Sequence, residues 1–185
     1  MLAILTKNSK KYELFQNELE RMGVALKSPH IDIPEIQDKD FISAISYKAR
    51  FAYQNIGPGH LIDDSGLLLD AYPDFPGTLT SMILDQLGYK GMQRLLRGVP
   101  CGAKLVCYLG CWVNGKLWFW RGEIVGNLVP IDLPTDKRVP LSDWFIPDEK
   151  SSYGVFLHRK RALDALSADL EKLQKELSIS VENQI

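Results

Sequence analysis

Two adjacent carboxylates, Asp63 and Asp64, follow an apolar pair and precede the turn-forming residues Ser65 and Gly66. In a strand, successive side chains face opposite sides, so one of the two carboxylates is expected to face a cleft. Proteins commonly hold magnesium with one or two carboxylates together with substrate phosphates. The pattern favours a hard-cation site, to which the loop residue Glu35 could supply a second carboxylate. The alternative is a polar turn between two short strands, because Asp, Ser and Gly are common turn residues.

A second group of candidate residues, Thr6 to Lys11, follows an apolar run and begins a predicted helix. Backbone N–H groups at a helix N-terminus bind anions, and the helix dipole strengthens the attraction. Lysines oppose the dipole at this end, so Lys7, Lys10 and Lys11 are favourable there when a phosphate is bound. The alternative is an ordinary helix cap with solvated lysines. The segment contains no glycine, which excludes a Walker loop.

A third group, His158 to Arg161, places several potential cations at the start of the last predicted helix. A cation at that end costs a few tenths of a kcal/mol, up to about 1 kcal/mol, and a bound anion would reverse the sign. The alternative is a basic turn whose exposed charges are screened by solvent. Two cationic anion sites and one carboxylate site form the arrangement needed to cleave a phosphate chain with a divalent metal.

Helices and strands must position these three groups. The hydrophobic pattern predicts helices over residues 10–22, 40–53 and 158–177, a helix over 80–97 that is interrupted near Gly88 and Gly91, and strands over 2–5, 25–28, 103–113 and 116–125. Residues 60–71 are expected to form two short strands around a turn at 63–66, residues 72–78 a loop, and residues 127–150 an irregular segment. Asn114-Gly115 predicts a tight hairpin. This pattern predicts the α/β class, with a mixed sheet flanked by helices.

The composition indicates one ordinary globular domain over residues 1–185, with a frayed tail at 178–185. The net charge of −1 argues against a general nucleic-acid binder and against an acidic disordered chain. The three cysteines lack paired spacing and a nearby histidine, so we expect reduced core residues rather than zinc ligands. The longest apolar run is too short to span a bilayer, and no signal peptide is visible, which predicts a cytoplasmic protein without a membrane partner.

Seven short motifs, in chain order, resemble those of the ITPase family, the noncanonical purine nucleoside triphosphate pyrophosphatases. They are Thr6-Lys7-Asn8-Ser9-Lys10-Lys11, Pro34-Glu35-Ile36-Gln37, Lys48-Ala49, Asp63-Asp64-Ser65-Gly66-Leu67, Phe75-Pro76-Gly77, the stretch from Gly122 to Pro130, and His158-Arg159 followed by Ala162-Leu163. The resemblance extends to about residue 166.

This resemblance implies a long mixed sheet with two lobes and a central cleft. It also implies a homodimer that hydrolyses ITP, dITP and XTP to the monophosphate and pyrophosphate with magnesium, or with manganese in its place. By position, Glu35 and Asp64 would be the catalytic and metal-binding carboxylates, and Asp63 joins them as a metal ligand. The implied substrate-binding residues are Thr6, Asn8, Lys11, Lys48, Ser65, Asp143, Trp144, His158 and Arg159. Among these, Asn8, Lys11 and Lys48 would hold the phosphates, and His158 and Arg159 would touch the base.

The segments implied to bind the base depart from the family pattern. Leu157 replaces the serine that precedes His158-Arg159 in the family, and the family's Phe-Gly-aromatic-Asp-Pro segment is absent as such. Its nearest match is the stretch from Ser142 to Pro147, in which Trp144 or Phe145 is expected to stack on a purine. Losing a polar group at the base can remove much of the discrimination between substrates.

These departures leave two alternatives to a noncanonical purine pyrophosphatase. One is a pyrophosphatase for another modified nucleotide. The other is a catalytically weak nucleotide-binding or scaffold protein, in which the leucine stripe of the last helix docks a partner helix. For that stripe, packing on the protein's own core is the simpler interpretation. The stripe consists of leucines 163, 166, 170, 173 and 177.

Overall fold

The computed structural model describes residues 2–6, 8–24, 26–27, 33–34, 36, 38–131 and 135–182. The strands are β1 (Leu2–Leu5), β2 (Leu26–Lys27), β3 (His60–Leu69), β4 (Tyr72–Gly77), β5 (Gly102–Val113), β6 (Lys116–Leu128) and β7 (Phe145–Pro147). The α-helices are α1 (Ser9–Arg21), α2 (Phe41–Ile56), α3 (Thr80–Leu95) and α4 (Leu157–Glu182). Short 3-10 helices lie at Leu141–Asp143 and Gly154–Phe156.

One mixed sheet forms the centre of the described structure, with strand order β2-β1-β3-β5-β6-β7 and with β4 paired to β3. β1 is parallel to β2 and β3, whereas the other pairs are antiparallel. The predicted mixed α/β class is therefore confirmed. The hairpin is confirmed as well, because Asn114 and Gly115 join β5 to β6 with φ values of 49° and 80°, as a two-residue turn requires.

A gap between two strands leaves one edge of β3 uncovered in its middle. On that edge, β1 pairs with β3 only as far as Ile62, and β4 pairs with β3 from Leu67 onwards. The opposite edge pairs with β5 without interruption from Leu61 to Leu69. The turn predicted at residues 63–66 is therefore wrong, because the ladder to β5 carries the strand through them. Asp63 to Gly66 lie in mid-strand, at an edge that no strand of the described residues covers.

The segment at 72–78, predicted to be a loop, instead contains β4. Pro73 and Pro76 lie within it, and β4 pairs with β3 alone among the described strands. An edge strand tolerates proline because one of its sides needs no N–H donors. Thr80 at the start of α3 secures this corner, since its Oγ1 accepts a hydrogen bond from Leu67 N at 2.7 Å.

Two hydrophobic clusters lie at the two ends of β3, and they form the cores of the two lobes. The first contains Leu61 together with buried side chains of α1 and α4. The second contains Leu67 together with buried side chains of α3. Between the clusters, Asp63 and Ser65 project from the same face of β3. The two-lobed arrangement with a central cleft is thus confirmed, and the cleft opens at the uncovered edge of β3.

The last helix, α4, is longer than predicted. The expected end was residue 177 with a frayed tail from 178, but α4 continues to Glu182. Ser180 is 2% exposed, on the face where Leu173 and Leu177 are buried, so packing continues past the predicted end. The helix thus extends beyond its predicted end, whereas residues 183–185 lie outside the described residues and the frayed end of the chain stays a prediction.

The leucine stripe of α4 packs inside the protein. Leu163, Leu166, Leu173 and Leu177 belong to the first hydrophobic cluster, and Leu170 packs against it. The leucine stripe is therefore buried in the chain's own core and does not form a surface on which a partner helix could pack. The described residues contain no helix that is long and apolar enough to cross a membrane.

Gly122 on β6 allows α4 to approach the sheet closely. A Cβ atom at this position would lie 2.1 Å from His158 O and 2.3 Å from Ala162 N. We expect Gly122→Ala to lower the free energy of unfolding by about 1–3 kcal/mol, because the added methyl group must displace the helix. Urea unfolding followed by circular dichroism measures this. Glu171→Ala, at an exposed position of α4, is the control, and equal stability of the two variants would contradict the prediction.

Candidate functional site

The N-terminus of α1 is formed by two capping interactions. Asn8 Oδ1 accepts a hydrogen bond from Lys11 N at 3.1 Å, and Thr6 Oγ1 accepts one from Asn8 N at 3.2 Å. The first turn of α1 contains no acidic residue and includes Lys10 and Lys11. The helix end and its lysines create a concentration of positive charge beside β3. Lys7, predicted to add a third charge, lies outside the described residues.

Asp63 is buried between two cations. Its Oδ2 lies 2.8 Å from Lys11 Nζ and 3.4 Å from Arg159 Nε, and its side chain is 3% exposed. Burial alone would raise the pKa of Asp63, but Lys11 and Arg159 outweigh it and lower the pKa to about 2. The prediction that Asp63 ligates a metal does not fit this arrangement, because its carboxylate is shielded from solvent and shared between two cations.

Asp64 lies on the other face of β3, towards α2. Its Oδ2 is 3.3 Å from Lys48 Nζ, and its Oδ1 accepts a hydrogen bond from Ser65 N at 3.1 Å. The side chains of Asp64 and Lys48 are 15% and 7% exposed. The expectation that Asp63 and Asp64 face opposite sides of the strand is confirmed. Glu35, the other predicted catalytic and metal-binding carboxylate, lies outside the part of the chain that the structure describes.

The donor chemistry of Asp64 suits a hard cation, because a partly exposed carboxylate supplies the anionic oxygen that such ions prefer. Within the described ranges, no group of three or more His, Cys, Asp or Glu side chains could hold a metal ion. A cation beside Asp64 would therefore need further ligands from substrate phosphates or from the undescribed residues, among which is Glu35. Magnesium is commonly bound with this division between protein and substrate ligands.

His158 and Arg159 form a buried pair at the start of α4. Arg159 Nη1 donates a hydrogen bond to His158 Nε2 at 2.9 Å, and His158 Nδ1–H donates to Val155 O at 2.5 Å. Burial, followed by the neighbouring Arg159 charge, lowers the pKa of His158 to about 3. His158 is therefore neutral, and the expectation that it contributes a cation is wrong. The positive charge facing Asp63 from α4 comes from Arg159.

The neutral state of His158 predicts acid sensitivity. In the unfolded chain His158 binds a proton as the pH falls through about 6.5, whereas in the native state it does so only near pH 3. The free energy of unfolding therefore decreases as the pH falls between these two values. We expect His158→Gln to reduce this loss of unfolding free energy. Urea unfolding at about pH 7 and about pH 4.5 measures it. His60→Gln measures the contribution of the half-buried His60, whose pKa is also lowered by burial. Identical pH dependence in wild type and His158→Gln would contradict the assignment.

A cavity of about 500 Å³ lies at the uncovered edge of β3. One wall is cationic and polar, with Asn8, Lys11 and Arg159 among its residues and Ser65 at its base. These residues come from three separate elements, α1, β3 and α4. The structure thus brings together most of the predicted phosphate-binding residues, whereas Lys48 lies across β3 with Asp64.

The predicted base-binding residues Asp143 and Trp144 do not line the cavity. Trp144 is 2% exposed and packs edge-on against Tyr89, with ring centroids 5.3 Å apart. Phe145 is 1% exposed in the same cluster. The prediction that Trp144 or Phe145 stacks on a base is wrong, because both rings are buried in the second hydrophobic cluster. Asp143 is exposed and accepts a hydrogen bond from Ser142 Oγ at 2.9 Å.

Several other residues that line the cavity were missed by sequence reasoning. Phe156 and Leu141 contribute apolar surface to its lining, and the Arg159 guanidinium lies 5.6 Å from the centre of the Phe156 ring. Arg138 also lines the cavity, and its Nη1 donates hydrogen bonds to Ser81 Oγ at 2.9 Å and to Asp85 Oδ1 at 3.0 Å. The only signals in the sequence were a long irregular segment containing Arg138 and an aromatic residue just before the basic group.

Comparison with known proteins now decides the family. The Ham1 family model matches residues 2–169 of the chain. The chain belongs to the Ham1 family. The resemblance that the seven sequence motifs indicated is thereby confirmed, over nearly the whole length of the described structure.

Several known proteins are similar to this chain over much or nearly all of their length. A dITP/XTP pyrophosphatase of Methanopyrus kandleri is 30% identical over 125 residues, which cover 66% of each chain. A dITP/XTP pyrophosphatase of Saccharolobus solfataricus is 26% identical over 183 residues, covering 92% of this chain and 93% of that protein. The crystal structure of a nucleoside-triphosphatase / dITP/XTP pyrophosphatase from Mycobacterium abscessus matches with a TM-score of 0.63 and 25% identity, covering 94% of this chain and 98% of that one.

Proposed function

We propose that this chain is a nucleoside triphosphate pyrophosphatase that hydrolyses noncanonical purine nucleotides (ITP, dITP and XTP) to the monophosphate and pyrophosphate. The observation that carries the proposal is one cavity that is lined both by cations from the starts of α1 and α4 and by apolar and aromatic residues, at the strand that bears Asp64. This lining complements a nucleotide, which carries a polyanionic phosphate chain at one end and a flat aromatic base at the other. The names of the relatives, dITP/XTP pyrophosphatase, support the same activity.

The polyphosphate chain is proposed to lie against the N-terminus of α1. Backbone N–H groups at this end attract anions, and Thr6 and Asn8 shape the turn that presents them. Lys11 and Arg159 extend the positive charge across the cavity wall. Charge that develops on the leaving pyrophosphate is stabilised by these fixed cations, which requires little reorganisation during the reaction.

Asp64 does not line the cavity but lies on the other face of β3, so a bound polyphosphate would have to extend around the uncovered edge of the strand to reach it. There, Asp64 is proposed to activate the attacking water. One of its carboxylate oxygens accepts a proton from the water, whose oxygen attacks the α-phosphorus. The bond from that phosphorus to the bridging oxygen then breaks, and pyrophosphate leaves with the bond's electron pair. Lys48 lies 3.3 Å from Asp64, so it orients the carboxylate.

The cofactor is proposed to be magnesium, with manganese as a substitute. Asp64 is the described residue suited to hold it, and the sequence assigns Glu35 to the same task. When bound, a divalent cation polarises phosphate oxygens and neutralises their charge.

The base is proposed to lie between Phe156 and Leu141. Both side chains line the cavity. Arg138, which also lines it, is a hydrogen-bond donor. Hypoxanthine and xanthine carry a carbonyl acceptor at C6, where adenine carries an amino group. A donor in the cavity therefore favours these bases over adenine, because an unmatched polar group at a substrate edge is costly.

A nucleotide panel tests the proposed activity. Initial rates of pyrophosphate release are measured with magnesium and dITP, XTP, dATP, dGTP or dTTP. We expect kcat/KM for dITP and XTP to exceed the value for dATP by about 100-fold or more, because adenine lacks the C6 carbonyl. A preference for dTTP would instead indicate a pyrophosphatase for another nucleotide. Tight binding without turnover of any nucleotide would favour the catalytically weak binding protein.

We also propose that the chain forms a homodimer. Phe119 and Val125 of β6 and Ile146 of β7 are 48%, 43% and 53% exposed, although they are large and apolar. Exposed apolar residues on one sheet face suit an interface between copies. Sedimentation equilibrium should give twice the chain mass of 20.9 kDa, and a monomer at assay concentrations would contradict the proposal. The cytoplasmic location stays a prediction.

A further inference from the structure

Asp63 connects two cations of the cavity lining that come from different helices, Lys11 and Arg159. Lys11 comes from the first turn of α1, and Arg159 comes from the first turn of α4. The two cations meet on one oxygen of Asp63, at 2.8 Å and 3.4 Å. Ser65 Oγ also lies 3.4 Å from that oxygen. The carboxylate therefore fixes the separation of two helices that belong to the same lobe.

The charges around Asp63 do not balance. Lys11 and Arg159 bring two positive charges to one carboxylate, and the adjacent His158 is neutral. The side chains of Lys11 and Arg159 are 24% and 10% exposed, against 3% for Asp63. The cations thus lie between a buried carboxylate and the cavity that they line. One positive charge remains for an anion that enters the cavity.

We propose that Asp63 is a positioning residue that acts as a built-in counter-ion for the phosphate-binding cations. It holds Lys11 and Arg159 in place while the cavity contains no nucleotide. When a polyphosphate enters, both cations contact it while Asp63 still repels it. Asp63 therefore orders the cations and limits their affinity for phosphate, which speeds the departure of pyrophosphate. This inference rests on the proposed function, because it requires a polyphosphate ligand.

The neighbouring carboxylate has a different task. Asp64 faces α2 and Lys48, and its side chain is five times as exposed as that of Asp63, at 15% against 3%. Asp64 is suited to hold a metal, whereas Asp63 is enclosed by its two cations. The two adjacent aspartates thus have different roles on the two faces of β3: Asp64 is suited to a metal ion, and Asp63 holds the two cations. Removing either one should change a different binding property.

The first measurement is the affinity for inorganic triphosphate without metal, by titration calorimetry in EDTA. We expect Asp63→Asn to bind it about tenfold more tightly than wild type, because a repelling charge is lost while both cations remain. Asp148→Asn is the matched control, since Asp148 is an exposed carboxylate that accepts a hydrogen bond from Asn127. An unchanged or weaker affinity in Asp63→Asn, or an equal gain in Asp148→Asn, would overturn the proposal.

The second measurement is the affinity of the nucleotide-free protein for Mn²⁺ alone, by electron paramagnetic resonance. We expect the affinity to be unchanged in Asp63→Asn and to fall about tenfold or more in Asp64→Asn. A tenfold loss in Asp63→Asn would assign Asp63 to the metal and overturn the counter-ion role. If Asp63→Asn does not fold, we use the double variant Lys11→Met/Asp63→Asn, which removes one charge of each sign. An unchanged Mn²⁺ affinity of the double variant would support the proposal, and a tenfold loss would overturn it. Neither measurement needs turnover, so a failed nucleotide panel and a failed counter-ion test remain distinguishable.

Discussion

Asp64→Asn is expected to reduce pyrophosphate release from dITP by about 10²- to 10⁴-fold, the range in which a general base contributes. The amide has nearly the shape of the carboxylate but accepts no proton from water, and it is a weaker ligand for a hard cation. The effect should appear mainly in kcat, because Lys11 and Arg159 still bind the phosphates. Steady-state kinetics with a pyrophosphate-coupled assay measure it.

The interpretation of Asp64→Asn depends on an intact fold. Asp64 is partly exposed, so the variant is expected to keep its circular dichroism spectrum and to unfold cooperatively. Asp148→Asn provides the same chemical change at an exposed position and should retain wild-type kinetics. A folded Asp64→Asn variant with more than about a tenth of wild-type kcat would remove Asp64 from the catalytic role, since general bases contribute more than that.

Phe156→Ala is expected to change KM, whereas Trp144→Ala is expected to change the stability of the fold. Phe156 lines the cavity, so its loss should raise KM for dITP about tenfold, in line with the energy of base–aromatic stacking, with a small change in stability. Trp144 is enclosed in the second core against Tyr89, so its loss should lower the free energy of unfolding by about 3–5 kcal/mol. The KM of folded Trp144→Ala should stay close to that of wild type.

Two measurements separate these variants. Urea unfolding gives the stability of each, and dITP kinetics at a temperature where both remain folded give KM. Phe156→Leu is a useful companion, because it preserves apolar contact without the aromatic ring and should recover part of the affinity. An unchanged KM in Phe156→Ala combined with a raised KM in Trp144→Ala would restore the base-stacking role that the sequence assigned to Trp144.

The chemistry near the start of the chain was predictable because it depends on local rules. A helix cap at Asn8 follows from a polar residue between an apolar strand and an amphipathic helix. The opposite orientation of Asp63 and Asp64 follows from the alternation of side chains along any strand. Lys48 was found by family resemblance, and the structure places it beside Asp64. Each inference required only a few consecutive residues or a known motif.

The rest depended on pairing between distant segments. The local sequence of residues 63–66 is typical of a turn, yet continuous pairing with β5 makes it strand. Trp144 had the residue type expected of a base-stacking ring, but packing against Tyr89 places it in the core. The neutral state of His158 arises from burial and from Arg159, and neither could be inferred from its position in a basic run. The net charge of −1 likewise concealed a local excess of positive charge around Asp63.

The most direct test of the central claim is the identity of the products formed from dITP. Wild-type protein is incubated with dITP and magnesium, and the nucleotide and phosphate products are separated by anion-exchange chromatography. We predict dIMP and pyrophosphate in equal amounts, which shows cleavage between the α- and β-phosphates. Release of dIDP and orthophosphate, or no turnover by the folded protein, would contradict the account.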